Sequence, residues 1–562
     1  MSPPATSIHA PTAIDESLSL RALQLLRWPI IVGLLSIWFF LTNPHFYSDA
    51  AWYAGIVRDG ELILIESGHM GWRPVVSFIV STANAIGLSF DPLQVFCALS
   101  AVGTALLVLT TYCLARRLVN DPLVAWNSAA IVALSNVCVS YGGSGSAYTP
   151  AIMLSNVGIL CLLSKRSPNA ATGDWSFWRG LLAVIAFVGA YLCWSLSILT
   201  LPVLWIVAMH EGRGGLVDRL FRSFVLVVSM VLGATLTGYG IYLLDPGRGD
   251  LTWWEWLRSS SHGIHMNVSL LSFFRATMGF VNAFVHTGDL GRSLKGILLG
   301  DSSLQDFGSH SAESLFTILL IGIILIALIG LWMRRFEESV QKLLLFTGTA
   351  LAPVALFAIL WQGSDVERFC LALPLISISL AAGLSSWRWL RIPLILFIVG
   401  LLFVANAVWF AGPILASEGG ISMALGAKAN EELGDHGVLI ITGQELDGPI
   451  VGNSFYFHHV VVINVGTVAR IHGEKEWSSY VESRITLAKE KGAKVAVLSD
   501  LVGVPTPGGI GLSKREVSHP TVEATSSYFA RWPHRHEWNV GRFHFFTLTG
   551  EAKEGDQSQP VK

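Results

Sequence analysis

The sequence is poor in charged residues. Only 14% of its 562 residues are Asp, Glu, Lys or Arg, whereas 52% are hydrophobic. That little charge cannot cover the surface of an ordinary soluble protein, so most of the chain must face lipid. The formal net charge of −2 gives no overall basic character, which excludes nucleic-acid binding as the main function.

Cysteine is also scarce. All six cysteines fall inside apolar stretches, and the polar C-terminal segment contains none: they are Cys97, Cys113, Cys138, Cys161, Cys193 and Cys370. Cysteines in such stretches are typical of small buried hydrophobic side chains. Without a disulfide framework, the C-terminal segment gives no sign of the side of the membrane that it faces, and topology has to decide this.

A cleavable leader is the next absence. Residues 1–27 are polar and precede the apolar run Trp28–Leu41, which no small-residue cleavage site of the A-x-A kind follows. We therefore predict an uncleaved first membrane helix. Arg21 and Arg27 lie before it and favour a cytoplasmic N-terminus.

Further apolar segments long enough to cross a bilayer give about eleven predicted transmembrane helices in all. After the first helix they are Leu93–Ala115, Leu123–Tyr141, Tyr148–Ser164, Leu181–Ser195, Leu196–Met209, Phe224–Leu244, Leu315–Met333, Leu343–Trp361, Phe369–Leu384 and Ile392–Phe410. Short cytoplasmic loops are rich in Lys and Arg, and this arrangement places the basic loops on one side. Those loops contain Arg116, Arg117, Lys165, Arg166, Arg213, Arg219, Arg222, Arg334, Arg335, Lys342, Arg388 and Arg391.

This topology requires the weakly apolar stretch Val75–Phe90 to lie at the outer membrane surface, because a full span there would move Arg116 and Arg117 outside. The extracytoplasmic side then receives two large loops, residues 42–91 and 245–313, a short loop at Gln362–Arg368, and everything after Ala411. Long loops collected on one face are typical of a binding or catalytic region.

The C-terminal segment, residues 412–562, alternates β-type runs with a helical stretch and predicts a small α/β domain. The predicted strands are Gly437–Thr442, Val460–Val465, Val495–Leu498 and Phe543–Leu548, and the predicted helix is Lys475–Lys491. The sequence contains no Walker or Rossmann signature. The predicted fold class is a polytopic α-helical membrane protein, with a transmembrane domain at residues 28–411 and this soluble extracytoplasmic domain.

The first outer loop concentrates acidic residues beside the membrane. Asp49 follows directly on the first membrane helix, where the edge of a low-dielectric region suits a carboxylate to proton abstraction, so we predict it to be the general base. The alternative is that Ser48 or Asp49 caps a short helix, Ala50–Asp59. Glu66 is the second candidate for the catalytic role, because it lies close to His69 and could hold a metal or orient the acceptor.

The order of motifs in this region is informative. Asp49 is followed by the stretch Gly68–Pro74, which includes His69, and later by Leu-Ala-Arg-Arg-Leu at Leu114–Leu118. This pattern resembles the membrane glycosyltransferases of the GT-C superfamily, which include the protein O-mannosyltransferases and the aminoarabinose transferase of lipid A. Those enzymes have an acidic residue after the first helix, then a His-Pro-Pro-like segment entering a juxtamembrane helix. Here Met70 and Gly71 stand in place of the two prolines.

A second resemblance lies at Asp365–Phe369, followed by Leu373 and Pro374. It is similar to the Glu-Arg-Phe element of the lumenal dolichol-dependent mannosyltransferases of the same superfamily, without the His and Lys that precede it there. The alternative is an interfacial ion pair, Glu367 with Arg368, that anchors a helix.

The resemblance implies a polyprenyl-phosphate sugar donor, whose phosphate lies at headgroup level and needs a cation there. The predicted donor-phosphate residues are Arg368, Arg73 and Lys295, and the predicted substrate-binding residues are Tyr53, His69, Trp72 and Glu367. In an inverting displacement Asp49 would take the proton of an acceptor hydroxyl while the phosphate leaves as an anion. A neutralising arginine or a divalent metal such as Mg²⁺ or Mn²⁺ suffices for that anion, and no metal ligands are assigned.

The second large loop is rich in aromatic residues, including Trp253, Trp254 and Trp256, within predicted interfacial helices. Such residues are typical of an aromatic belt at the headgroup level. The functional alternative is a lid over the donor site in which the indoles stack on sugar rings.

The predicted function is transfer of a sugar to a glycan, lipid or protein acceptor at the outer face of a bacterial inner (plasma) membrane. A secondary transporter is one alternative, although it would favour internal repeats and ionisable groups near mid-membrane. The other is a non-catalytic envelope assembly protein whose helices act as an anchor.

Overall fold

The computed structural model describes residues 50–59, 67–163, 177–212, 214–245, 248, 250–259, 269–287, 290, 311–361, 363, 365–412, 420–434, 437–441, 460–465, 468–469, 477–504, 522–540 and 543–550. The predicted first membrane helix, Trp28–Leu41, lies outside these residues. So do the predicted site residues Asp49, Glu66 and Lys295. The boundaries of the predicted domains stay predictions.

Most of the described chain is helical. The helices before the C-terminal sheet are α1 (Ala50–Asp59), α2 (Trp72–Ala85), α3 (Pro92–Leu118), α4 (Pro122–Leu134), α5 (Asn136–Tyr141), α6 (Tyr148–Leu162), α7 (Phe177–Cys193), α8 (Leu201–Glu211), α9 (Leu216–Leu244), α10 (Trp253–Ser259), α11 (Leu270–Phe284), α12 (Ser311–Met333), α13 (Glu338–Leu360), α14 (Leu373–Leu384), α15 (Arg391–Leu402) and α16 (Gly420–Leu433). Short 3-10 helices lie at Ser67–His69, Ser195–Thr200 and Val366–Ala372, and a π-helix at Phe403–Ala411 continues α15.

The protein is an integral membrane protein. Within the described residues, 6 helices are long and apolar enough to cross a bilayer, and further apolar helices of 10–17 residues accompany them. Side chains such as Phe221, Leu236 and Ile318 are more than 60% exposed, which a soluble surface would not tolerate over so large an area but which lipid favours. α2, which covers most of the stretch predicted to lie on the membrane surface, has 14 residues and is not one of these spans.

The predicted alternation of basic loops agrees with contacts at one end of the bundle. Arg391, at the start of α15, pairs with Asp121, which precedes α4. Lys342 on α13 pairs with Glu211 at the end of α8. The Arg117 guanidinium donates to the carbonyl of Leu163, just after α6. These basic turns therefore lie together, and we call this the basic end of the bundle.

Several predicted helices are interrupted. The segment predicted as one span, Leu123–Tyr141, breaks at Ser135, whose backbone is extended and whose hydroxyl caps α5. The predicted Leu196–Met209 begins as a 3-10 helix and becomes α-helical at Leu201. Hydropathy cannot detect such breaks, because buried Ser and Asn side chains replace the lost backbone hydrogen bonds inside the protein.

Asn406 shows how the opposite end of the bundle is held together. Its fully buried side chain projects from the π-helix and donates to the carbonyls of Leu134 and Phe284, at 2.7 and 2.6 Å. Its carbonyl oxygen accepts the backbone N–H of His286 at 2.8 Å. Terminal helix carbonyls have no partner within their own helix, so this one amide joins the ends of α4, α11 and α15.

The C-terminal part forms a five-stranded sheet in the order β2-β1-β3-β5-β4. The strands are β1 (Val438–Ile441), β2 (Val461–Asn464), β3 (Val495–Leu498), β4 (His534–Val540) and β5 (Phe543–Leu548), with helices α17 (Trp477–Glu490) and α18 (Val522–Phe529). β1 pairs in parallel with β2 and β3, and β5 pairs antiparallel with β3 and β4. The predicted strands and helix are confirmed, whereas β4, α16 and α18 were not predicted.

Candidate active site

The first outer loop is anchored to the end of α7. His69 closes the 3-10 helix Ser67–His69, and its ring Nδ1 lies 2.8 Å from the carbonyl oxygen of Cys193. Two residues later, the backbone N–H of Gly71 donates to the carbonyl of Leu192 at 2.8 Å. The last carbonyls of a helix have no hydrogen-bond partners within the helix, so the loop supplies N–H donors to them. This arrangement fixes the position of His69.

Trp72 ties the same loop to the glycine-rich turn between α5 and α6. Its indole N–H donates to the carbonyl of Gly145 at 2.8 Å, and its ring packs beside Phe96 at the start of α3. Gly145 has a φ of +79°, and a Cβ there would lie 2.6 Å from the Cβ of Ala50. Glycine is required for both reasons, and it lets α1 approach the turn closely.

These contacts enclose a small aromatic pocket. Its walls are Ala50, Tyr53, His69, Gly145, Ser146, Ala147 and Tyr148, and its volume is about 10 Å³, room for roughly one water-sized group. The ring of Tyr148 stands edge-on to those of His69, Tyr141 and Trp194, at centroid distances of 5.3, 4.8 and 5.0 Å. We call this the His69 pocket.

Arg368 lies on the 3-10 helix Val366–Ala372, which precedes α14, and is only 8% exposed. Its Nη2 donates to Asp365 at 3.0 Å, and its Nη1 lies 2.9 Å from Glu367. The ion pair proposed as the alternative interpretation is therefore present, with a second carboxylate beside it. With both carboxylates ionised, the cluster of Arg368, Asp365 and Glu367 has a net charge of −1.

Burial raises the pKa of Asp365 to about 6, although the positive charge of Arg368 opposes the shift. The side chain as a whole keeps 41% of its surface exposed, but its carboxyl group is largely surrounded by protein atoms. A carboxyl with that pKa changes its charge near neutral pH. The charge of the cluster around Arg368 is therefore sensitive to pH.

Helix α11 holds the Arg368 segment in place. A Cβ added at Gly279 would overlap the carbonyl oxygen of Gly363, so the helix lies directly against the turn that leads to Asp365. One residue further on, Phe280 packs edge to face on Phe369 at 5.5 Å. The position of Arg368 therefore depends on a helix of the second large loop.

The His69 pocket and the Arg368 cluster are neighbours. Helix α6, which begins at Tyr148, packs against the 3-10 helix that carries Arg368. Tyr148 is also close enough to the Arg368 guanidinium for an electrostatic interaction. Tyr148 thus lies between the two regions that the sequence motifs pointed to separately.

The structure brings together some of the predicted site residues. Tyr53, His69 and Trp72 meet at one pocket or its wall, and Glu367 contacts Arg368. Arg73 follows Trp72 on α2 and is half-buried. Within the described part of the chain, no group of three or more His, Cys, Asp or Glu side chains is placed to hold a metal.

Sequence reasoning missed Tyr148 and Gly145. The run Gly142–Gly145 is the turn between α5 and α6. It was not recognised as a wall of the pocket. Tyr148 follows this turn at the start of a helix, and a tyrosine shortly after a glycine-rich turn is the signal that was available.

The aromatic residues of the second large loop support the first loop from outside the pocket. Trp256 is fully buried, stacks on Trp253 at 5.3 Å and donates its indole N–H to Asp245 at 2.9 Å. The hydroxyl of Ser67 donates to the carbonyl of Leu257 on α10 at 2.9 Å. These two indoles are engaged in packing, while Trp254 is 68% exposed.

The architecture is similar to crystal structures of ArnT from Cupriavidus metallidurans. The apo form gives a TM-score of 0.57 and 13% sequence identity over 93% of this chain and 98% of that chain. The form bound to undecaprenyl phosphate gives a TM-score of 0.53 and 12% identity over 94% and 99%. The archaeal oligosaccharyltransferase AglB from Archaeoglobus fulgidus, in complex with an inhibitory peptide and a dolichol-phosphate, gives 0.43 and 13% over 85% and 70%.

No protein-family model and no curated protein sequence matches the chain. The likeness to ArnT therefore rests on the fold, and it extends over nearly the whole of both chains. The resemblance predicted from Asp49, Gly68–Pro74 and Leu114–Leu118 is confirmed at this level. The chain shares the fold of ArnT.

Proposed function

We propose that this protein is an inverting glycosyltransferase that moves one sugar from a polyprenyl-phosphate carrier to an acceptor hydroxyl on the extracytoplasmic side of the membrane. The observation that carries the proposal is the buried Arg368, at the start of an apolar helix and beside an aromatic pocket. The full-length likeness to ArnT, a structure of which holds undecaprenyl phosphate, supports the same class of donor.

Arg368 is proposed to hold the donor phosphate. The polyprenyl tail of such a donor lies in the bilayer and its phosphate at the headgroup level, so the enzyme needs a cation at the end of a membrane helix. The planar guanidinium presents several N–H donors and can grip two phosphate oxygens at once. Arg73 and Lys295 remain proposed as further cations for the same group.

Asp49 is proposed as the general base. It immediately precedes Ala50, whose side chain lines the His69 pocket. Asp49 takes the proton of an acceptor hydroxyl, whose oxygen forms a bond to the anomeric carbon as the bond from that carbon to the phosphate oxygen breaks. The phosphate leaves with the electron pair as an anion, which Arg368 stabilises.

A divalent metal such as Mg²⁺ or Mn²⁺ is the alternative means of stabilising the leaving phosphate. Dialysis of the purified enzyme against EDTA distinguishes stabilisation by a metal from stabilisation by Arg368. Transfer that continues after dialysis assigns the role to the arginine, whereas transfer that stops and returns with added Mg²⁺ or Mn²⁺ assigns it to a metal.

The test of the proposed function is a transfer assay with the purified protein. A polyprenyl-phosphate sugar labelled in the sugar is incubated with an extract of envelope lipids and glycans. We expect the label to appear in the acceptor fraction and free polyprenyl phosphate to accumulate in equal amount. A donor that stays intact with every extract would reject the glycosyltransferase proposal.

The proposed sidedness has its own test, because the two ends of the bundle must lie on opposite sides of the membrane. Reporter fusions after Arg117, at the basic end, and after Gly412 should report opposite compartments, with Arg117 cytoplasmic. Fusions that report the same compartment would show that the predicted topology is wrong.

A further inference from the structure

The tautomer of His69 is decided by its partner. A backbone carbonyl oxygen can accept a hydrogen bond but cannot donate one, so the Nδ1 that lies 2.8 Å from the Cys193 carbonyl carries the proton. In the neutral ring the other nitrogen, Nε2, is then a hydrogen-bond acceptor. Nδ1 is turned to the end of α7, and the His69 ring is part of the pocket wall.

The described walls of the His69 pocket include no Asp, Glu, Lys or Arg side chain. They consist of two tyrosines, one serine, one histidine and small residues. An anionic group placed there would lose its hydration without gaining a cation from these walls. The volume of about 10 Å³ suits a single hydroxyl group.

We propose that His69 holds the acceptor, by accepting at Nε2 a hydrogen bond from an uncharged hydroxyl that enters the pocket, and that the acceptor is therefore a polyhydroxylated glycan and not a phosphate group. The inference rests on the proposed glycosyl transfer and names its acceptor class. A hydroxyl has one proton to donate, so the group bound by His69 and the group deprotonated by Asp49 are different hydroxyls. An acceptor with neighbouring hydroxyls, such as a sugar ring, supplies both.

Two substitutions separate the binding role of His69 from its role in anchoring the loop. In His69→Asn the side-chain amide nitrogen takes the place of Nδ1 and keeps the hydrogen bond to Cys193, while the acceptor at Nε2 is lost. In His69→Gln a polar atom takes the place of Nε2 and the anchor is lost. His544→Asn, on β5, is the matched histidine control away from the pocket.

We expect His69→Asn to unfold at the wild-type temperature and to bind the labelled donor normally. Its kcat/KM for the acceptor extract should fall by about tenfold or more, because a buried substrate hydroxyl is left without its partner. His69→Gln should lose thermal stability and keep more transfer than His69→Asn. Wild-type kinetics in His69→Asn would show that the residue is only an anchor and would overturn the proposal.

The acceptor class is tested on the product of the wild-type enzyme. A sugar joined to a glycan hydroxyl survives mild acid, whereas a sugar joined to phosphate is released. We expect the transferred label to survive the treatment that strips the donor. Release of the label would overturn the proposed acceptor class while leaving glycosyl transfer intact, and absence of any transfer by the wild type would instead reject the proposed function.

Discussion

Replacing Asp49 with asparagine should reduce turnover by roughly two orders of magnitude or more, the range expected when a general base is removed. Asparagine has nearly the same size and still caps a helix, so the start of α1 should be preserved. The variant should insert in the membrane and unfold at the wild-type temperature. Initial rates with saturating labelled donor measure the effect.

Asp91→Asn is the matched control for this substitution. Asp91 caps a helix, since its Oδ1 accepts the backbone N–H of Gln94 at 3.0 Å. It lies outside the walls of the His69 pocket, so removal of its charge should leave transfer close to the wild-type rate. A comparable loss in both variants would mean that helix capping, and not proton abstraction, explains the result for Asp49.

Glu66 provides the second comparison, because it is the other acidic candidate of the first loop. If Glu66→Gln loses transfer while Asp49→Asn keeps it, the two residues exchange roles. If both variants transfer sugar at the wild-type rate, the active site does not lie in the first outer loop.

The second large effect is expected at Arg368. Arg368→Lys keeps the positive charge beside Asp365 and Glu367, so the two carboxylates retain their cationic partner. It replaces a planar fork by a point charge, and the loss of a charge-assisted hydrogen bond corresponds to an increase of about 10- to 100-fold in the KM for the donor. The KM for the acceptor should change little.

Arg334→Lys is the control for this change. Arg334 makes a two-pronged ion pair with Glu337, at 2.8 and 2.6 Å, in a turn after α12. It therefore has the same chemistry as Arg368, in a turn that the predicted topology places on the cytoplasmic side. An unchanged donor KM in Arg368→Lys, or an equal increase in Arg334→Lys, would reject the assignment of the donor phosphate to Arg368.

The same cluster should make donor binding depend on pH. The pKa of Asp365 is raised to about 6, so its carboxyl is neutral below that pH and competes with the donor phosphate for Arg368 above it. Donor affinity should therefore fall as pH rises, by up to about tenfold between pH 5 and pH 7. The donor is a phosphodiester and does not itself titrate in that range.

Binding of the labelled donor is measured as a function of pH in the absence of acceptor. Because no transfer takes place, protonation of the catalytic base does not affect the result. In Asp365→Asn the side chain cannot ionise, and the affinity should stay at its low-pH value across the range. A wild-type affinity that does not change with pH would show that Asp365 does not compete with the donor.

The sequence by itself determined the class of protein and most of its helices. Hydropathy is a property of consecutive residues, so spans such as Pro92–Leu118 and Ser311–Met333 could be placed within a few residues of their observed ends. The short strands β1, β3 and β5 were predictable for the same reason, since each is a local apolar run. The motifs around His69 and Arg368 marked both halves of the candidate site.

Only the tertiary structure shows which distant residues complete each half of the candidate site. The anchor of His69 is a carbonyl of Cys193, 124 residues away, and the bond of Trp72 is to Gly145, 73 residues away. Tyr148 joins the pocket because the end of α7 and the turn after α5 converge on one loop. The break at Ser135 is tolerated because the side-chain amide of Asn406, 272 residues along the chain, donates a hydrogen bond to the carbonyl of Leu134. Pairings at such separations follow from how the helices pack, and no local pattern of residues records them.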